Sequence, residues 1–431
     1  MLIQFSVKNY KTFADEVKIS MVASKDDTLK EKNVFDSGFG YDLLKSAVVY
    51  GANASGKTKL IEAMGFMRKL IEKSSGYNST QKIDVQPFRL NTQNEKEPSL
   101  FEVIFIEDDN KMYRYGFEVT KEKIISEWLF MRQNNGKPKE TELFYREEQN
   151  FEYNKAKFKV KNLIDNDRVK HNTLLLSRAD VDNEKTANKV FHWITDKWRT
   201  ISGLNSNNYL GFTASKLEDQ VFKNQIISFL KDADLGIQDL KPKLMDLEDL
   251  PKQLQELILK ESEGKETKLF SDVTTFRKKY NELKEPIGLV EFSMEDDESS
   301  GTGKYFALSA PILDALLNGN IFVVDELDAA LHPNLVCKIV ELFNSSLTNP
   351  KNAQLIFNTH NTNLLSPDAK LFRRDQIWFT EKNHYGAAIL YSLADFKTDK
   401  VRKEDNYERN YILGKYGAIP FLGDFGKILN Q

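Results

Sequence analysis

Apolar and polar positions change period several times along this chain, and the changes mark its elements. In residues 1–50, Ile3, Phe5 and Val7 alternate with Gln4 and Ser6, and Val17, Ile19 and Met21 alternate with Lys18 and Ser20. A period of two predicts strands. Ser46-Ala-Val-Val-Tyr50 is a short apolar run that fits a buried strand, and Leu60, Ile61, Met64 and Met67 then recur at helical spacing. That helix is expected to reach about Lys73 and stop in Ser74-Ser-Gly76. Phe101–Ile106 and Tyr113–Val119, joined by Asp108-Asp-Asn110, read as a hairpin. Residues 141–161 are expected to extend that sheet, with Lys155, Lys157, Lys159 and Lys161 alternating with Ala156, Phe158 and Val160. On a strand this places four ammonium groups on one face, either a solvated edge guarded against aggregation or a basic contact surface.

Residues 162–290 read as mostly helical. Val190, Phe191, Ile194 and Trp198 fit one face, as do Val221, Ile226, Phe229 and Leu230, while Leu254, Leu257 and Ile258 sit in a charged segment and Gly264 in the loop Glu261–Lys268. No long heptad run or repeat is present, so a compact lobe is expected and not an extended arm. From Gly288 the pattern returns to α/β. Strands are expected at Gly288–Phe292, Ile321–Val324, Gln354–Phe357, Gln376–Thr380 and Ala388–Leu393, with a helix following Ser299-Ser-Gly-Thr-Gly303 and another over Asn334–Phe343. The expected organisation is residues 1–161 as the first part of an α/β head, 162–287 as a helical insertion, 288–393 as the second part of the head, and 394–431 as a tail whose role the pattern does not reveal.

Composition narrows the class. Of 431 residues, 40% are hydrophobic and 29% charged, with a net charge of −3, so the chain as a whole is not a generic binder of polyanions. One cysteine, Cys337, excludes an internal disulfide and fits a reducing compartment. No window approaches the ~18 apolar residues of a membrane helix, and the N-terminal residues lack an export pattern. A cytoplasmic protein with no membrane partner is expected.

The chemistry centres on Gly51-Ala-Asn-Ala-Ser-Gly-Lys-Thr58, which matches the phosphate loop G-x-x-x-x-G-K-[ST] between a strand and a helix. Backbone N–H groups of such a loop and of the following helix point at anionic oxygens. Gly51, Asn53, Ser55, Gly56, Lys57, Thr58 and Lys59 are therefore candidate nucleotide contacts, Lys57 toward the outer phosphates and Thr58 toward Mg²⁺. The apolar strand ending in Asp325-Glu326 supplies the second half. Asp325 is a metal candidate, and Glu326 is placed to orient and polarise an attacking water. Asp328 reads as a loop acid between two halves of a dimer. His332-Pro333 fits a helix start, and His360, past the strand Gln354–Phe357, stands where it would contact a γ-phosphate. Ser299–Gly303 opens a helix and forms a second anion cradle. One nucleotide needs only one cradle, so Ser300 and Gly301 are assigned to the phosphate held by another subunit.

These residues resemble, in order, the motifs of a soluble ATP-binding-cassette (ABC) ATPase of the SMC and RecF kind: the phosphate loop, a glutamine loop at Gln86, the signature at Ser299–Gly303, the acidic strand end Asp325-Glu326, the Leu327–Pro333 loop and the switch histidine His360. The resemblance implies a head built on a mixed sheet around the phosphate loop with a flanking antiparallel sheet, ATP and Mg²⁺ as cofactors, and Gln86 as a further metal contact. More narrowly, Ile3–Phe13, Leu230–Ile237, Asp325–Pro333, Phe372–Trp378 and Gly414–Pro420 resemble the overcoming-lysogenization-defect and abortive-infection ATPases of the RloA/AbiL-like group. The signature here reads Ser-Ser-Gly-Thr-Gly in place of Leu-Ser-Gly-Gly-Gln. Glu381 is similar to the first acid of a Toprim nuclease, but no Asp-x-Asp pair follows, so no nuclease is expected in this chain. The resemblance implies a homodimer or higher homo-oligomer closing around ATP and controlling a separately encoded nuclease or toxin in phage defence. The alternative is a DNA-binding repair or chromosome ATPase, with nucleic acid as its partner.

Overall fold

The computed structural model describes the whole chain except residues 135–138, 203–206, 246, 253–254, 256–268, 398–404 and 421–431. It divides into two compact units, one of Met1–Ile201, Asn318–Leu327 and Cys337–Gln431, the other of Ser202–Leu317 and Asp328–Val336. The expected boundaries at 161/162 and 287/288 are not where the chain divides. Helices Lys161–Asp165, Leu175–Val181 and Lys185–His192 carry Leu163, Leu175, Leu176 and Val190 into the core of the first unit. Residues 288–317 belong to the second unit instead.

The first unit holds two large sheets. One is antiparallel with seven strands: β1 (Leu2–Lys8), β2 (Val17–Ser20), β6 (Ser99–Ile106), β7 (Lys111–Val119), β8 (Ile124–Gln133), β9 (Thr141–Glu147) and β10 (Asn150–Tyr153). Their order is β10-β9-β8-β7-β6-β1-β2. A ribbon of β3 (Val34–Asp36) and β4 (Asp42–Leu44) stands apart from it. The other large sheet is mixed and has six strands: β5 (Ser46–Tyr50), β11 (Trp198–Ser202), β15 (Ile321–Asp325), β16 (Gln354–Asn358), β17 (Ile377–Lys382) and β18 (Ala388–Ser392). Their order is β11-β15-β16-β5-β17-β18, with β15, β16, β5 and β17 mutually parallel and β18 antiparallel to β17.

β5, β15 and β16 are buried at every position, as continuous apolar runs in a parallel sheet should be. β6 instead buries alternate residues. Leu60, Ile61, Met64, Met67, Leu70 and Ile71 of the helix Lys57–Lys73 join one core with Val103 and Phe105 of the antiparallel sheet and Val323 and Ile356 of the mixed sheet. Phe105 and Trp193 stack there with centroids 3.8 Å apart. The expected hairpin is β6–β7, and Asn110 takes a left-handed φ of 56° in its turn.

The expected lysine-bearing strand is not formed. β10 ends at Tyr153, residues 155–157 form a turn capped by Asn154, and Phe158 and Val160 are buried in the loop that follows. Phe158 packs on Phe144 at 5.0 Å. The alternation reflected two buried anchors in a loop, so Lys155, Lys157, Lys159 and Lys161 do not line one strand face.

The second unit is mixed as well, not mostly helical. Helices Asn207–Lys216, Gln220–Lys231 and Ser300–Asn318 accompany a three-stranded antiparallel sheet of β12 (Ile237–Met245), β13 (Leu269–Tyr280) and β14 (Pro286–Ser293). In β12 the apolar residues Ile237, Leu240 and Leu244 fall three and four apart, which imitates helical spacing. Asp219 caps the second helix by accepting from Val221 N at 2.8 Å, and Val221 is exposed while Ile226, Phe229 and Leu230 are buried. The segments with Leu254, Leu257, Ile258 and Glu261–Lys268 lie outside the described residues.

One buried ion pair ties the antiparallel sheet to its helices. Glu127 and Arg146 have no exposed side-chain surface and approach to 3.4 Å. Glu127 also accepts from Leu175 N at 2.6 Å, Leu176 N at 2.9 Å and the Tyr115 hydroxyl at 3.0 Å. Arg146 donates to Thr173 O at 2.6 Å and Lys170 O at 3.1 Å. Burial still pushes the Glu127 carboxyl above its ordinary range. Arg146→Ala strands that carboxylate, and its expected cost is about 3–5 kcal/mol. Lys123→Ala, at the surface pair with Glu148, costs below about 1 kcal/mol. Urea denaturation midpoints check both.

Candidate functional site

Parallel pairing brings three distant stretches to one edge of the mixed sheet. β15 ends at Asp325, β16 at Asn358 two residues before His360, and β5 at Tyr50 before the loop 51–58. These strands are neighbours in the order β15-β16-β5, so Asp325 lies about 10 Å across the sheet from the start of the loop.

The loop itself leaves no room for side chains where the motif has glycine. A Cβ on Gly51 would fall 2.3 Å from Thr380 O and 2.5 Å from Ser55 Oγ. One on Gly56 would fall 2.9 Å from Ala388 Cβ, and Gly56 has a φ of +124° that disfavours any other residue. Thr380 Oγ1 donates to Ser55 O at 2.9 Å, fixing the loop to β17. Lys57 is buried and its Nζ donates to Gly51 O at 2.9 Å and Ala52 O at 3.1 Å, so the ammonium lies over the hollow of the loop. Ser55 Oγ is buried with no hydrogen-bond partner. A buried hydroxyl left unpaired costs free energy unless something completes it.

Lys59 and Lys11 both pair with Glu62, at 2.8 and 2.5 Å. Burial raises the Glu62 carboxyl, but hydrogen bonds and charge from the two lysines carry it below its ordinary range. Lys11, Thr12, Lys59, Gln86, Phe88, Arg89 and Lys382 line a cavity of about 270 Å³ beside the loop. Gln86 is in that cavity wall, and its carbonyl accepts from Lys11 N at 2.8 Å. The strand-linking stretch Asn9–Phe13 thus folds against the loop, with Thr12 O accepting from Ala388 N.

At the acidic strand end, Asp325 is buried and accepts from Asn358 Nδ2 at 2.5 Å, while Asn358 Oδ1 accepts from Glu326 N at 2.6 Å. Glu326 takes a left-handed φ of 53°. A glutamate held there is a local strain that its surroundings must enforce. Asn358 enforces it and aims Asp325 in the same contact. Sequence reasoning passed over Asn358; its signal was a polar residue ending an all-apolar buried strand. His360 is exposed past Thr359, whose N–H donates to Val49 O at 3.3 Å.

The remaining candidates belong to the second unit. Ser299 Oγ accepts from Thr302 N at 3.1 Å and so caps the helix Ser300–Asn318, leaving Ser300 exposed as its first residue. A Cβ on Gly301 would fall 2.8 Å from Ala330 O, so the signature turn sits directly on the loop that follows Asp328. Lys304 Nζ donates to Ala329 O in the same loop, and Asp328 O accepts from Leu331 N at 3.0 Å. Gly51, Asn53, Ser55, Gly56, Lys57, Thr58, Lys59, Gln86, Asp325, Glu326 and His360 are in the first unit, and Ser300, Gly301 and Asp328 in the second.

Residues 46–366 match the profile of the family described as "AAA domain, putative AbiEii toxin, Type IV TA system". The chain belongs to this family. The match spans the phosphate loop and the strands of the mixed sheet, and the α/β fold is the one expected from the sequence. A search of curated proteins gave no significant match. Among solved structures, it is similar to the SMC head domain from Thermotoga maritima, with 12% identity, 91% of this chain and 98% of that one covered, and a TM-score of 0.39. It is also similar to the Smc head domain of Pyrococcus furiosus bound to the C-terminal domain of ScpA, at 12% identity, 93% and 98% coverage and a TM-score of 0.40. A third is the recombination mediator RecF, at 15% identity, 91% and 98% coverage and a TM-score of 0.31.

Removing the Asn358 side chain breaks its contacts to Asp325 and to Glu326 N at once. Asn358→Ala is expected to lower unfolding free energy by about 2–3 kcal/mol, and guanidinium denaturation of the full chain checks it.

Proposed function

We propose that this ATPase binds ATP with Mg²⁺, closes as a homodimer around it, and hydrolyses it as a switch that changes how a separately encoded effector is held. The observation that carries the reading is the convergence of the glycine-restricted loop, with its unpaired Ser55 hydroxyl, on the strand ends bearing Asp325, Glu326 and His360. The donor set fits a triphosphate and a hard cation. Lys57 and the loop N–H groups hold the phosphates, while Thr58 and Asp325, with Gln86, hold the metal. Bound Mg²⁺ would neutralise charge developing between the β- and γ-phosphates. Glu326 holds and polarises the attacking water, and His360 contacts the γ-phosphate. Asn53, Ser55, Gly51, Gly56 and Lys59 complete the cradle, and the nucleoside end has the 270 Å³ cavity beside it.

Ser300 and Gly301 act on the nucleotide of the partner, with Asp328 between the two sites. ATP favours the closed state only as far as it binds that state more tightly than the open one. In its motifs the chain reads as a member of the overcoming-lysogenization-defect and RloA/AbiL-like abortive-infection group, working in the cytoplasm with a nuclease or toxin as effector. The family's printed link to toxin–antitoxin systems supports that context. Glu381, the residue similar to a Toprim acid, is engaged by Ala418 N at 2.8 Å, which suits a structural role. The DNA-tracking alternative drew on the helical lobe and on a basic strand at residues 155–161, and a turn at 155–157 stands in place of that strand. Among the described residues no helix is long and apolar enough to cross a membrane.

Glu326→Gln is expected to keep ATP binding, to lower kcat by about 100-fold or more, and to accumulate an ATP-dependent dimer in light scattering. Lys57→Ala is expected to weaken ATP binding itself. Wild-type hydrolysis by Glu326→Gln would show that the assigned base is wrong.

A further inference from the structure

The C-terminal stretch Tyr407–Ala418 lies across the strand tips that form the site. Its helix, Tyr407–Ile412, is capped by Asn406, which accepts from Arg409 N at 2.8 Å, and is followed by Gly414 at φ +76°. So short a helix does not stand by itself in water. Here side chains hold it. The Tyr411 ring packs 5.4 Å from Tyr50 and 5.4 Å from Phe379, the residues on β5 and β17 that flank the phosphate loop. The Tyr411 hydroxyl donates to Ala418 O at 3.2 Å. Burial pushes this phenol up to about 12, so it stays a neutral donor. Beyond it, Ala418 N donates to Glu381 Oε2 at 2.8 Å and the Tyr391 hydroxyl to Tyr416 O at 2.8 Å.

The other end of the segment reaches the loop after β16. Glu408 Oε1 accepts from Thr362 Oγ1 at 3.1 Å, two residues past His360. Tyr50, under the Tyr411 ring, donates its hydroxyl to Asn361 O at 2.9 Å. The tail therefore packs on Tyr50, just before the phosphate loop, and bonds Thr362 after His360.

Resting on the ATPase reading above, we propose that Glu408 and Tyr411 are positioning residues for hydrolysis, and that the C-terminal segment sets the placement of His360 and, through Tyr50, of the phosphate loop. His360 is exposed on an irregular loop, and such a side chain needs its backbone fixed to meet one reacting geometry. A partner that draws residues 407–418 away then slows turnover without entering the nucleotide site.

Steady-state ATPase assays of the full chain, with kcat and KM separated and thermal midpoints recorded, test this. Glu408→Ala and Tyr411→Leu, which removes the ring from Tyr50, are expected to lower kcat about three- to tenfold with KM for ATP within about twofold. Glu408→Gln, whose amide oxygen can still accept from Thr362, restores most of the rate, and the exposed control Arg409→Ala matches wild type. Wild-type kcat in both variants overturns the proposal, as does a loss that Glu408→Gln does not rescue. A lowered thermal midpoint with unchanged kcat assigns the segment a structural role only. If wild type shows no hydrolysis sensitive to Glu326→Gln, the ATPase reading fails and takes this one with it.

Discussion

Parallel pairing of β15, β16, β5 and β17 is the constraint on which everything else in this site depends. Parallel neighbours present all their C-terminal ends along one edge, and ligands of open α/β sheets bind there. Three segments from opposite ends of the sequence are thereby laid side by side: the loop after Tyr50, Asp325-Glu326 after β15, and Asn358–His360 after β16. Their side chains need no long excursions to meet. Small, strained backbone features do the rest: two glycines with no space for a Cβ, and one glutamate turned into a left-handed conformation.

The polar contacts that fix both ends of these strands are buried. Asn358 satisfies Asp325 and Glu326 N together, Gln376 donates to Ser46 O and Oγ at the start of β5, and Thr380 fixes the carbonyl of Ser55. Buried Arg373 bonds Asp375 at 2.8 Å and the carbonyls of Asp26 and Thr28, which pins the N-terminal loop to the same sheet. Satisfied polar groups of this kind specify one arrangement because any displacement leaves several of them unpaired at once. Ser55 Oγ is one of several buried side-chain atoms without a partner among the described residues, and it lies within the phosphate loop.

Much of the first unit was legible in the sequence because its signals were local. A continuous apolar run read as a buried strand at Ser46–Tyr50 and Ile321–Asp325, and the phosphate-loop helix was expected near its observed end at Lys73. The pattern misled where local spacing had two meanings, in the second unit at β12 and in the first at residues 155–160. Ile237, Leu240 and Leu244 imitate a helix face while forming β12, and Phe158 and Val160 imitate a strand while anchoring a loop. Asn358, Glu408 and Tyr411 were illegible for another reason. Their partners, Asp325, Thr362 and Tyr50, are chosen by the sheet, and no spacing within the chain announces a contact made across it.

The central claim is that the phosphate held by one subunit is completed by the signature turn of another. Mixing two inactive variants tests it most directly. Lys57→Ala lacks a working phosphate loop but keeps its signature turn, while Ser300→Glu keeps its phosphate loop and places a negative charge at the exposed first residue of the signature helix. In a mixed dimer one site joins an intact loop to an intact turn, so ATPase activity should reappear on mixing although each variant alone is inactive. Mixtures that stay as inactive as their components, with mixed dimers shown to form, would contradict the account.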